Sequence, residues 1–133
     1  MANEATLIYE LGPAIPFTVA DETGIAKGTL LTLSDPMTAA ANSAIVLGAP
    51  VAGIAATEKI ANDGVTKLGV FRTGIFKVTA SGSVTAGDAL ATIGNFVYTA
   101  AVNEEDLIGI ALETATNGET FLMELKPLAA QLA

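Results

Sequence analysis

The densest set of hard oxygen ligands in this chain is Glu104-Glu105-Asp106, three carboxylates in a row. A calcium loop spaces its Asp and Asn ligands at alternate positions and closes with a bidentate Glu. That spacing is missing here, so the run reads as a solvated acidic turn and no metal ligand is assigned. Serine and threonine are plentiful, but the chain has no histidine and no cysteine. A hydroxyl nucleophile would then need a lysine or the chain terminus as its base, and no Ser-x-x-Lys motif occurs. Lack of histidine also removes the commonest general base and the commonest transition-metal ligand. Lack of cysteine removes disulfides, thiolate nucleophiles and cysteine metal sites. No catalytic or cofactor-binding residue is assigned, and the chain reads as a non-enzyme.

Two further features have a chemical look. Arg72 falls on a strand face that is otherwise apolar. Either it emerges at a sheet edge beside Gly74 or pairs with a carboxylate, or, with Phe71 beside it, it makes a subunit contact, where arginine is enriched. The run Val84-Thr85-Ala86-Gly87-Asp88-Ala89-Leu90 is similar to a turn in small domains that carry lipoyl or biotinyl groups. Those domains present a modifiable lysine at a tight hairpin tip, and neither Asn62-Asp63-Gly64 nor Asn117-Gly118 holds one. Asp63 and Asp88 sit beside glycines and read as turn residues.

Fourteen acidic residues against six basic ones give a formal charge of −8. Phosphate-backbone binding needs several cations on one surface, and here Lys27, Lys59, Lys67, Arg72, Lys77 and Lys126 are scattered. Neither nucleic acid nor an anionic membrane is a fitting partner. No apolar run approaches the roughly 20 residues of a membrane span. The start, MANEATLIYE, lacks the basic segment and hydrophobic core of a secretory signal, which points to synthesis in a cytoplasm.

The elements that carry these residues are strands. Asn62-Asp63-Gly64 lies between two strand-like runs within Val51 to Thr79, a strong hairpin signal. The second run alternates Leu68, Val70, Arg72, Gly74, Phe76 and Val78 on one face, so it reads as one strand with a kink or bulge at Gly74. Around Asn117-Gly118, Ile108, Ile110 and Leu112 alternate with small or polar residues, as do Phe121, Met123 and Leu125, which predicts a second hairpin ended by Pro127. Shorter strands are expected at Phe17 to Ala20, Ile25 to Leu33, from Val84 to Leu90 onward, and at Phe96 to Thr99. Ser34-Asp35-Pro36 opens either a turn of helix or a loop. Ala44 to Leu47 is brief and apolar, and the final LAAQLA is expected to add at most a half-turn of helix.

An internal echo links the halves. Lys27-Gly28-Thr29-Leu30 corresponds to Ala86-Gly87-Asp88-Ala89, and Ala52-Gly53-Ile54-Ala55 to Ile108-Gly109-Ile110-Ala111. The expected fold is all-β: two similar hairpin-containing lobes wrapped into one small barrel or sandwich, with at most one short helix. At 133 residues this is one domain, residues 17–133, preceded by an extended arm over residues 1–16. Gly12, Pro13 and Pro16 keep that arm out of a central sheet position. Its apolar Leu7-Ile8-Tyr9 and Leu11 suit an arm that orders against something else, the alternative being a frayed terminus.

Val51 to Val78, with Gly-Ile-Ala-Ala, the Asn-Asp-Gly turn and Gly-Val-Phe-Arg-Thr-Gly-Ile-Phe, resembles the core of lambda-type phage head decoration proteins. Thr85-Ala86-Gly87-Asp88, Ile108 to Thr114 and Gly118-Glu119-Thr120 are similar to a related family of phage capsid cement proteins. The resemblance spans about residues 17–126. It implies a β-tulip fold, a homotrimer, and a place on the capsid exterior at threefold and quasi-threefold positions, where the mature head is stabilised. The partner it implies is the major capsid protein, whose sheet the arm would extend. Ala2, Asn3, Glu4, Ala5, Thr6, Leu7, Ile8, Tyr9, Leu11, Pro13 and Ile15 are then the capsid-contact residues. The rival reading is a phage fibre, tail or cell-surface β-module binding carbohydrate, which the scarcity of aromatic residues disfavours.

Overall fold

The computed structural model describes residues 5–42, 50–100 and 106–128. The expectations for Ala44 to Leu47, for Glu104 and Glu105 and for the tail after Leu128 lie outside those residues. Eleven strands make up what is described: β1 (Thr6–Tyr9), β2 (Ile15–Thr18), β3 (Leu30–Ser34), β4 (Thr38–Ala41), β5 (Val51–Ala55), β6 (Lys67–Phe71), β7 (Gly74–Thr79), β8 (Ala89–Ile93), β9 (Phe96–Thr99), β10 (Leu107–Ala111) and β11 (Thr120–Leu128). No helix occurs among the described residues, and the fold is all-β as expected. Ser34-Asp35-Pro36 leads into the tight turn joining β3 to β4, so the loop alternative is the one realised.

Strands β2-β4-β3-β5-β6 close into a barrel. Closure runs through β2, antiparallel to β6 along four residue pairs and parallel to β4 at Thr18 and Thr38 alone. Pro16, which cannot donate to a ladder, is tolerated because β2 has so little pairing on its β4 side. The barrel interior holds Phe17, Val19, Ile25, Leu31, Ala39, Ala52, Ala55, Leu68 and Val70. The other six strands form one sheet in the order β1-β7-β11-β10-β8-β9. Its inner side packs Phe76, Val78, Leu90, Ile108, Phe121, Met123 and Leu125 together with Leu30, Val51 and Ile54, which face outward from the barrel.

The stretch Leu68 to Val78 is therefore two strands, not one bent at Gly74. β6 belongs to the barrel and β7 to the sheet, and the chain changes layers at Arg72-Thr73. Alternation survives the break because Leu68 and Val70 enter one core while Phe76 and Val78 enter the other. The hairpins at β5–β6 and β10–β11 are present. β11 runs past Pro127 to Leu128, where the pairing with β10 shifts register between Leu107 and Gly109.

The internal echo is a structural repeat. The amide of Gly28 donates to the carbonyl of Ala55 at 2.9 Å, and that of Gly87 donates to Ala111 at 2.7 Å. In return Ala55 donates to Thr29, and Ala111 to Asp88, each at 2.9 Å. The isolated bridges Ile25–Lys59 and Val84–Ala115 extend the correspondence. Both repeats place a glycine where the next strand crosses closest: a Cβ on Gly53 would overlap the carbonyl oxygen of Phe71, and one on Gly109 that of Glu124. Overpacking ordinarily costs about 1–3 kcal/mol. The obstacle here is backbone, so Gly109→Val should cost at least about 3 kcal/mol, read as a lowered midpoint in urea unfolding.

Candidate functional site

β1 is an end strand. One edge pairs with β7, through Thr6 to Lys77, Leu7 to Phe76 and, after a bulge, Tyr9 to Ile75. The other edge carries no strand among the described residues. Ala5 is buried, and its amide donates to the Gly28 carbonyl at 2.8 Å. Leu7 packs its side chain against the sheet core. The rest of the segment faces out: Ile8, Tyr9, Leu11 and Ile15 are all exposed, Tyr9 by 62%. Four of the large exposed apolar side chains thus fall within eight residues. Thr6, Pro13 and Ala14 are also exposed, while Ala2, Asn3 and Glu4 lie outside the described residues. Ile15 and Pro16, expected as part of the arm, pair with Val70 and Gly69 in the barrel.

Gly74 makes the seat for β1 possible. Its φ of +136° is a conformation that side chains resist, and a Cβ there would meet the Tyr9 carbonyl oxygen at 3.1 Å and Leu7 Cδ1 at 3.4 Å. An open cavity of about 470 Å³ lies between β1 and the barrel, lined by Ala5, Leu7, Lys27, Ala56, Phe71 and Phe76. Phe71 turns its ring into this junction, 5.8 Å from the Phe76 ring at a 59° tilt. Arg72 is half-buried between two shallow clefts, one with Leu33, Pro50, Leu107 and Pro127, the other with Phe17, Ser34, Asp35 and Met37. No carboxylate pairs with it among the described residues. Phe71 and Arg72, both half-buried, thus line different clefts. Tyr9 is the one aromatic side chain in the exposed class among the described residues, with Phe71, Phe96 and Tyr98 half-buried.

Sequence reasoning missed Lys59. Its side chain is fully buried, and its Nζ donates to Asp63 Oδ1 at 2.6 Å, to the Ile60 carbonyl at 2.7 Å, and to both the carbonyl and Oδ1 of Asp21 at 3.0 Å. Burial pulls the ammonium's pKa down, but the hydrogen bonds to Asp63 and then Asp21 outweigh it and hold Lys59 above the usual lysine value. The same bond from Lys59, with a second from the Val65 amide, holds the Asp63 carboxyl below its usual range. Asp21 Oδ1 also accepts from the Gly64 amide at 2.9 Å. One ammonium thereby ties the Asp21–Gly24 turn to the Asn62-Asp63-Gly64 turn at the barrel tip. The tip presents Ile60 and Val65, both exposed. At the matching place in the second repeat stands Ala115, and the turn there is closed by Glu119, whose carboxylate accepts from the Thr116 amide at 2.8 Å and is held below its usual pKa by it.

Among the described residues, no group of three or more acidic side chains is gathered closely enough to hold a metal. Comparison with curated proteins finds no match. The sequence profile of phage cement proteins matches residues 10–126. Among solved structures, the crystal structure of the head fibre gp8.5 N base of bacteriophage phi29 is similar, with a TM-score of 0.55 and 16% identity, over 89% of this chain and 98% of that one. At that identity the likeness speaks for the fold.

Proposed function

Because this chain belongs to the phage cement protein family, we propose that it binds the outer surface of the major capsid protein shell as a homotrimer at threefold and quasi-threefold positions and stabilises the mature head. Membership makes it a structural, capsid-associated protein of a phage virion. The proposal adds its partner, its face of the shell and its stoichiometry. In this reading the chain is made in the host cytoplasm and the fold is the β-tulip of the lambda-type proteins. Residues 1–16 supply the grip, with Ile15 and Pro16 rooting it in the barrel, and residues 17–133 form the body that bridges neighbouring shell subunits.

The observation that carries this reading is the free edge of β1, flanked by exposed Ile8, Tyr9, Leu11 and Ile15. An exposed strand edge extends a partner's sheet through backbone hydrogen bonds that ask little of side-chain sequence. The contact residues are Ala2, Asn3, Glu4, Thr6, Ile8, Tyr9, Leu11, Pro13 and Ile15, while Ala5 and Leu7 of the same arm turn into the core and seat it. Three arms in one trimer bind far more tightly than one, because the second and third engage at high effective concentration. Likeness to a phage head-fibre base is compatible with a seat on the head. A net charge of −8 keeps decorated particles apart.

Electron-microscopy reconstructions of heads with and without this protein test the proposal. Three-copy density over the threefold axes, and heads that keep their DNA to a higher temperature when decorated, are the expected results. Density confined to the tail or a fibre would overturn it.

A further inference from the structure

Nothing in the described chain covers the outward side of the six-stranded sheet, and that side is apolar. Direct partners across four adjacent strands run Tyr9, Ile75, Glu124, Ile110. The next row runs Thr6, Lys77, Leu122, with Leu112 beside Leu122, to whose carbonyl the Leu112 amide donates at 2.8 Å. Directly paired residues share one side of a sheet. Between these rows, Leu7, Phe76, Met123 and Ala111 point the other way into the core. An antiparallel sheet with one wet side normally turns polar residues toward water. Here Tyr9, Ile110 and Leu112 are exposed on that side by 62%, 36% and 41%, and Ile75 and Leu122 are half-buried among them.

The charges on this face decide its partner. Most surfaces of a chain at −8 repel a second copy. This face has no acidic excess: Lys77 and Glu124 stand diagonally on neighbouring strands, with Lys126 at the rim. Neither Lys77 nor Glu124 forms an ion pair or side-chain hydrogen bond among the described residues. With three such faces turned toward a threefold axis, Lys77 of each copy can meet Glu124 of the next, a head-to-tail contact that closes as a ring.

We propose that the outward face of the six-stranded sheet is the contact between copies of this chain, with Lys77 of one copy meeting Glu124 of the next over a shared apolar patch of Tyr9, Ile75, Ile110 and Leu122. The inference rests on the homotrimer reading and names the surface that forms it, in place of Arg72 and Phe71. The free backbone edge of β1 stays available to the shell, because Tyr9 enters the contact through its side chain.

Analytical ultracentrifugation of the full-length protein tests this. Lys77→Glu and Glu124→Lys should each weaken self-association roughly tenfold, because each sets like charges face to face. The double swap should restore it. Both side chains lack intrachain partners, so thermal melts of the dissociated variants should match wild type. Ile110→Asp, at the patch centre, should weaken association at least as much, and no charge swap should rescue it. An oligomer unaffected by these changes would overturn the inference while leaving the homotrimer reading standing. A wild-type chain that stays monomeric both in solution and on heads would overturn both.

Discussion

Heads offered a chain lacking residues 1–10 should retain almost none of it, while the truncated protein keeps its barrel. The cut belongs at residue 10 and not at 16, because Ile15 and Pro16 pair with Val70 and Gly69 and removing them would open the barrel at β2. A four-residue strand added to a partner's edge contributes several backbone hydrogen bonds, each worth about 0.5–1.5 kcal/mol net. Burying an exposed apolar side chain such as Ile8 or Leu11 adds roughly 1.5–3 kcal/mol. Losing both terms should weaken capsid binding at least a hundredfold per arm, and avidity compounds this in a trimer. Truncation also uncovers the β7 edge and the cavity beside Phe71 and Phe76, so a modest fall in melting temperature is expected. A second variant separates grip from fold. Ile8→Asp with Leu11→Asp changes two side chains that are 42% and 58% exposed, so β1 should stay seated. Its capsid binding should fall nearly as far, measured by co-sedimentation with heads. Saturation of heads by either variant at wild-type affinity would remove the arm from the mechanism.

Sequence periodicity reached some of this architecture and was blind to the rest for identifiable reasons. β11 was legible because Phe121, Met123 and Leu125 alternate onto one core, whereas in β10 alternation misled: Ile110 and Leu112 face outward and the small Ala111 enters the core. The repeat was legible because its glycines mark places where the next backbone passes too close for a side chain. The break between β6 and β7 was not, because an alternating pattern says which residues are buried but not in which core. Leu7, Ile8 and Tyr9 read as an arm because nothing local shows that Leu7 turns inward against β7 while its neighbours stay out. Lys59 was invisible for a related reason: half of its oxygen partners belong to Asp21, 38 residues earlier, and only the folded barrel brings them together.

Lys59→Met should lower the melting temperature by roughly 10 °C or more, the largest effect expected of any side chain outside the apolar cores. The methionine fills the space of the lysine stem but supplies no donor. Asp21 and Asp63, which share the ammonium at 3.0 and 2.6 Å, are left as two neighbouring carboxylates, and the carbonyls of Asp21 and Ile60 lose a donor as well. The effect should depend on pH at both ends, and the signs follow from the shifts. Asp63 is held below the ordinary 3.8, so its contribution is present above that value in the wild type and lost as pH falls through its folded pKa. Lys59 is held above the ordinary 10.5, so its contribution is complete below that value and lost as pH rises through its folded pKa. Melting curves of wild type and variant should therefore differ most between about pH 5 and 10 and converge in acid and in strong alkali. The variant lacks the ammonium that holds Asp63 down, so it should lose less stability than wild type as pH falls through the Asp63 pKa. A variant that runs parallel to wild type across the whole range would mean that Lys59 acts through the packing of its stem and not through its charge.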